Sequence, residues 1–241
     1  MDLPECPLAK GPLKLYLKVI FDRIMSLNNR FNPTDLERIK TAVKTAEDKI
    51  SGEIVPVFVE RSGHYSIANY RGAMMAAAAV FIAIILVDRY VPLLAISDPL
   101  FIFLSTILAG LLGAIAVHTV DPLKRVMLSQ THLDQATRKR AENAFLEEEV
   151  FNTRHRTGIM IFVSFFEREV MVMADRGISK VVEQKEWDKM VRDIIEKIRM
   201  GKVTDGIEAA ILRCGEILLE KGFHKTPDDI NELRDDLRIE N

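Results

Sequence analysis

The sequence predicts an α/β domain split by an inserted pair of membrane-spanning helices, and three observations carry that expectation. Two long runs hold no charged residue: Gly72–Val87 (GAMMAAAAVFIAIILV) and Pro99–Val120 (PLFIFLSTILAGLLGAIAVHTV). Three short apolar runs read as strands, Glu53–Glu60, Thr157–Phe165 and Glu169–Ala174. The segments around them repeat their apolar residues at helical spacing. The charges nearly balance, with 33 Lys and Arg against 35 Asp and Glu among 241 residues. That balance excludes a strongly basic nucleic-acid binder, so no nucleic acid is expected as a partner. Cys6 and Cys214 are the two cysteines. No CxxC or zinc spacing accompanies them, and a chain of this length can bury a core without such a staple.

Taken in order, Leu13–Leu27 (LKLYLKVIFDRIMSL) places Leu13, Leu17, Ile20, Ile24 and Leu27 on one side of a basic amphipathic helix. Lys14, Lys18, Asp22 and Arg23 interrupt it, so it is not the apolar core of a cleavable signal peptide. Such a helix suits the inner leaflet of a membrane or a face of its own domain, and both readings stay open. Asn32-Pro33-Thr34-Asp35 is a helix start. Leu36, Ile39, Val43, Ala46 and Ile50 continue it, and Ser51-Gly52 ends it. Pro56 in the strand that follows suggests an edge position or irregular pairing.

The second uncharged run is long enough for a bilayer core, which needs about 20 residues. The first reaches that length when counted from Tyr70 to Tyr90, whose rings and flanking arginines suit the interface. The alternative is a buried helical hairpin in a soluble core. The connecting loop carries Arg89 as its base, whereas the outer flanks carry Arg61, Arg71, Lys124 and Arg125. By the positive-inside bias both outer flanks are cytoplasmic. The expected location is therefore the cytoplasmic membrane, with two spans and both termini inside.

Beyond the hairpin, Thr131–Asn152 is a charged helix. Thr157–Phe165 is a buried strand, a turn at Glu167-Arg168 reverses the chain, and Glu169–Ala174 returns antiparallel to it. Asp175-Arg176-Gly177 opens a helical region. Trp187, Met190, Val191, Ile194, Ile195 and Ile198 form one apolar helix face, closed by Gly201. Ile207, Ala210, Ile211, Cys214, Ile217 and Leu218 form a second, closed by Gly222, and a polar tail runs over the surface.

Several of these stretches together resemble the TPM domain family. They are AEDKISGEIVPVFVE (Ala46–Glu60), NTRHRTGIMIFVSFFEREVMVMADRGI (Asn152–Ile178), the Glu-Trp pair at Trp187, and DGIEAAILRCGEILLEKGF (Asp205–Phe223). The nearest branch is bacterial membrane proteins whose domain is split by hydrophobic helices. The resemblance implies an α/β/α sandwich with a small mixed sheet. It divides the chain into an N-terminal amphipathic segment 1–30, a first domain part 31–66, a hairpin 67–122 with spans at about 70–90 and 99–120, a second domain part 123–225, and a tail 226–241. Relatives associated with acid phosphatase activity, photosystem repair or divalent-cation binding admit Ca²⁺ or Mg²⁺ as a cofactor.

The strand directions suggest a site independently of the family. If Glu53–Glu60 runs parallel to Thr157–Phe165, their N-terminal ends coincide with the C-terminal end of Glu169–Ala174. Glu53, Arg154-His155-Arg156 and Asp175-Arg176 then share one rim. Arg154, His155, Arg156 and Arg176 are the candidate ligand-binding residues, and Asp175 and Glu53 the candidate metal ligands. A two-residue turn would set Asp175 opposite Met160, leaving the loop after it as the neighbour of Arg156. The competing readings are a helix cap or salt bridge for Asp175, a strand-edge charge for Glu53, and a solvated surface residue for His155. Glu147-Glu148-Glu149 reads as a solvated helix face. No GxSxG, HExxH or P-loop is present, nor a Cys-Arg loop or Asp-x-Asp nucleophile. The expected function is a binding or adaptor module on the cytosolic face, with the lipid bilayer and a protein as partners. A metal-assisted phosphatase and a membrane-protein quality-control factor are the rivals.

Overall fold

The computed structural model describes residues 31–91, 98–226 and 232–240; the amphipathic segment Leu13–Leu27 lies outside them. The described elements run α1 (Pro33–Glu47), β1 (Glu53–Val59), α2 (Ser66–Tyr90), α3 (Pro99–Thr119), α4 (Asp121–Val126), α5 (Gln130–Glu147), β2 (Gly158–Ser164), β3 (Glu169–Ala174), α6 (Arg176–Ser179), α7 (Gln184–Arg199), α8 (Val203–Glu220) and β4 (Arg238–Glu240). The chain divides into two compact units, one built from residues 1–62 and 136–241 and the other from 63–135. The second unit is longer at both ends than the expected hairpin 67–122.

In the first unit the sheet has the order β3-β2-β1-β4. β1 pairs parallel with β2, from Glu53 opposite Gly158 to Val59 opposite Ser164. β2 pairs antiparallel with β3, and β1 pairs parallel with β4. Every residue of β1 and β2 is buried, as expected of strands covered on both faces. Ile54, Phe58, Ile159, Ile161 and Val163 face one apolar cluster with residues of α1, α7 and α8. Val55, Val57, Met160 and Phe162 face another with Ala141 and Ala144 of α5. The alternation of the strands thus builds an α/β/α sandwich around a small mixed sheet.

β1 is an interior strand, which corrects the edge position suggested by Pro56. The Glu53 N–H donates to the Thr157 carbonyl on the β2 side at 3.2 Å. The Ile54 N–H points the other way, to the Glu47 carboxylate at 2.8 Å. By alternation the missing N–H of Pro56 faces the β4 side, where pairing begins only at Val57, so proline interrupts no ladder bond. A second correction concerns the tail. Residues 238–240, expected as polar surface chain, add the fourth strand. Arg238 is buried there, its Nε donating to Glu148 at 2.8 Å and one terminal nitrogen donating to the carbonyls of Arg234 and Asp236.

Where β1 leaves the sheet, a buried carboxylate holds the exit. Glu167 accepts the Ser62 N–H at 2.9 Å and the Ser164 hydroxyl, and the Ser62 and Ser164 hydroxyls are 2.8 Å apart. The turn between β2 and β3 is four residues, Phe165–Arg168, not two. Phe165 lies past the pairing with β3, its N–H still donating to the Val59 carbonyl at 3.1 Å, and its ring joins Phe31 and Phe58, with ring centroids 6.3 and 5.7 Å away.

In the second unit α2 and α3 pack closely through small residues. A Cβ on Gly113 would lie 2.5 Å from that of Ala76 and 2.7 Å from the Gly72 carbonyl, so glycine permits the approach. The helices have 25 and 21 residues, or roughly 37 and 31 Å at 1.5 Å per residue, against a bilayer core of about 30 Å. Only 6% of each apolar window is buried, and Phe81, Ile85, Phe103 and Leu111 are exposed. That exposure overturns the alternative of a hairpin buried in a soluble core. Both helices are long and apolar enough to cross a membrane.

Because β1 supplies the partner of both β2 and β4, the segment Ala136–Asn241 alone should not fold. Expressed by itself it should show no cooperative thermal transition and poor amide dispersion, and a peptide covering residues 31–62 added in trans should restore both.

Candidate functional site

The rim at the start of β1 and β2 divides into two places. The first is the turn entering β2. Thr153 Oγ1 accepts the Thr157 N–H at 2.9 Å, and the Thr153 carbonyl accepts the Arg156 N–H at 3.1 Å. The turn closes with Arg156 in the left-handed region, φ 56°, a conformation that costs a non-glycine residue about 1 kcal/mol. Its carbonyl accepts the Gly177 N–H at 3.0 Å. A Cβ on Gly177 would lie 2.5 Å from that carbonyl and 2.9 Å from the His155 carbonyl, so only glycine lets α6 sit against the turn.

Asp175 caps α6. Its Oδ1 accepts the Arg176 N–H at 2.6 Å, and its own N–H donates to the Gly158 carbonyl at 2.9 Å. The longer β2–β3 turn therefore corrects the expected register: Asp175 lies opposite Gly158, not Met160. Its Oδ2 is 3.8 Å from the Arg156 guanidinium, so Asp175 itself is the neighbour of Arg156. The residue is 7% exposed, and Oδ2 has no hydrogen-bond partner among the described residues. Arg156 is exposed, donates to the Phe151 carbonyl at 2.8 Å, and lies 5.9 Å from the Phe151 ring centre.

Phe151, Arg156, Asp175, Arg176, Gly177 and Lys180 line one cavity of about 630 Å³. Arg176 and Lys180 are exposed and form no ion pair among the described residues. The cavity wall therefore carries three cations and one carboxylate. Lys180 and Phe151 escaped the sequence reading. Lys180 had a signal, since it follows Arg176 by four residues and so shares its helix face.

The second place holds Glu53. Its carboxylate accepts the backbone N–H groups of Glu232 at 3.0 Å and Leu233 at 3.4 Å. The Arg154 N–H donates to the Glu232 carboxylate at 2.8 Å. These two expected site residues thus hold the C-terminal segment. Glu53 and Asp175 are two strands apart, about 10 Å, and the Val150 carbonyl packs against Gly158 between them. His155 is exposed at the turn and does not line the cavity. Among the described residues no group of three or more His, Cys, Asp and Glu could hold a metal ion. The donor set around Asp175 fits a hard cation poorly, because such an ion wants several oxygen ligands and three cations repel it.

With this geometry in view, residues 112–217 match the family described as the TPM domain. The chain carries a TPM domain. The match begins within α3 and ends within α8, so α1, β1 and β4 of the same sandwich lie outside it. The TPM-domain chain is also similar in fold to the BA42 protein from the psychrophilic bacterium Bizionia argentinensis, whose structure was determined by NMR. The two share 17% identity, covering 87% of this chain and 95% of that one, with a TM-score of 0.53. At that identity the likeness is one of fold alone. No curated protein matches the chain.

Glu47 is a further buried carboxylate that sequence reasoning passed over. It follows Val43 by four residues and Ile39 by eight, which places it on the buried face of α1. Burial pushes its carboxyl up to about 8; the Ile54 N–H opposes this and the negative charges of Glu53 and Asp235 add to it. A carboxyl whose folded value is raised stabilises the fold fully below its unfolded value, and that stability is lost as pH rises through the folded value. Stability should therefore fall between about pH 4.5 and 8 by on the order of 5 kcal/mol. Denaturant titrations across that range should show this decline in the parent protein, and Glu47→Gln should remove it.

Proposed function

We propose that the protein is a membrane-anchored binding module, acting as an adaptor at the cytoplasmic face, whose TPM domain holds a phosphate-type anion beside Arg156, Arg176 and Lys180. The observation that carries this reading is the charge of the cavity. Three basic side chains line it, while the carboxylate among them turns one oxygen inward onto a backbone N–H. Guanidinium and ammonium donors around one opening suit an oxyanion, and an arginine can offer it two parallel bonds. Titration of the full chain in detergent with orthophosphate should give saturable binding that weakens as salt rises. Loss of one charge-assisted contact in Arg176→Gln or Lys180→Gln should weaken it about tenfold. Saturable Ca²⁺ binding lost in Asp175→Asn, with no phosphate binding, would replace the anion by a cation. Turnover of a phosphate monoester would favour the enzymatic rival.

The membrane part of the reading rests on α2 and α3 and on the basic residues flanking them. Arg61, Arg71, Lys124 and Arg125 lie on the outer flanks, against Arg89 in the connection, which favours a cytoplasmic location for both ends. Reporter fusions should read Asn241 as cytoplasmic and the connection near Ile96 as external. A C-terminus on the far side would refute this topology.

A further inference from the structure

We propose that the groove between α1 and α8 seats the chain's own N-terminal stretch outside the described residues, Leu13–Leu27, laid antiparallel to α1. The groove has a volume of about 630 Å³, and Pro33, Thr34, Thr41, Ala42, Thr45 and Leu212 are among its walls. Thr34, Thr41 and Thr45 follow one another at helical spacing, so the groove runs along a single stripe of α1. All three are exposed, and Leu212 of α8 is 38% exposed. Threonine and alanine are short, which lets a second helix approach α1 closely and pack on methyl groups. The Thr45 hydroxyl donates to the Thr41 carbonyl at 2.7 Å, so it asks nothing of an occupant.

The point where the stretch enters the structure, its length and its charge select it as the occupant. Phe31 is buried, its ring centroid 5.1 Å from that of Phe58, which fixes the chain at the start of α1. Residues 28–32 alone separate Leu27 from Pro33, a connection of the length that joins antiparallel neighbours in a helical hairpin. The stripe from Pro33 to Thr45 is roughly 18 Å long at 1.5 Å per residue, and Leu13–Leu27 as a helix covers roughly 21 Å. Its face of Leu13, Leu17, Ile20, Ile24 and Leu27 is the apolar surface the groove would cover. The stretch carries Lys14, Lys18 and Arg23 against Asp22, a net charge of +2. The groove carries Glu37 and Glu208 against Arg38, and Asp205, 2.8 Å from Arg38, adds a third acid. Arg38 is thereby engaged by Asp205 and Glu208, while Glu37 is exposed and in no ion pair among the described residues. A reversal centred on Arg30 sets Arg23 level with Glu37 and Ile20 level with Thr41.

Cysteine pairs in the full chain, reconstituted in nanodiscs of phosphatidylcholine and phosphatidylglycerol, test this. Cys6→Ser leaves the buried Cys214 as the one native thiol. Thr41 is exposed, so a cysteine there leaves the core intact. Under mild oxidation Ile20→Cys with Thr41→Cys should crosslink about tenfold faster than Lys18→Cys with Thr41→Cys, although both pairs share one tether and hence one effective concentration. Lys18 and Ile20 lie on opposite sides of a helix, so the difference reads docking and not proximity. Leu212→Lys, at an exposed site on the α8 wall, should bring the fast pair down to the slow one. Equal rates for the two pairs would overturn the assignment, and so would a fast pair indifferent to Leu212→Lys. Quenching of a fluorophore at Ile20→Cys by nitroxide-labelled lipid would overturn it in favour of the inner leaflet.

Discussion

The parallel pairing of β1 with β2 is the constraint on which the rest depends. A parallel pair needs a crossover between its strands, and here the chain makes the α2–α3 hairpin before β2 forms. Fully buried strands must satisfy their backbone groups in the sheet. β1 does so through β2 on one side. On the other it meets β4 and the carboxylate of Glu47. The entropic cost of closing the intervening chain grows only slowly with its length, so a long insertion is compatible with the pairing. Glu167 adds a fixed point where the chain leaves β1, its buried carboxylate joining Ser62 to the end of β2 through hydrogen bonds.

The same pairing sets the chemistry of the rim. Glu53 stands opposite Gly158, and Asp175 bonds to Gly158 from the other side. Gly158 has no side chain to occupy the space between them, and Val150 does so instead. Each carboxylate then finds its own backbone donors, Glu53 in the C-terminal segment and Asp175 in α6. Two acids that share a rim in sequence terms therefore serve separate structures. What gathers at Asp175 is positive charge from the β2 entry turn and from α6.

Much of the fold was legible because its signals are periodic. The uncharged runs of α2 and α3, the continuous apolar run of β2 and the helical stripe through Trp187 and Ile194 each report directly either burial or a helix apolar enough to cross a membrane. The misses have equally physical causes. Phe165 and Phe166 extend the apolar run of β2, so the turn looked shorter than it is; Phe165 is apolar because it packs with Phe31 and Phe58, not because it is strand. β4 has a single apolar residue, Ile239, and no alternation to read. Its place is set by the paired charge of Arg238 and Glu148 and by the open side of β1. The cationic rim was legible from strand direction, but the separation of Glu53 from Asp175 depends on which N–H each carboxylate reaches, which no spacing encodes.

Amide hydrogen exchange on the full chain in a membrane mimetic tests the pairing across the insertion most directly. If β1 and β2 form one cooperative unit, their amides should open with the same free energy and report the same global event. Amides of β1 exchanging orders of magnitude faster than those of β2, with β2 still protected through β3, would contradict the account.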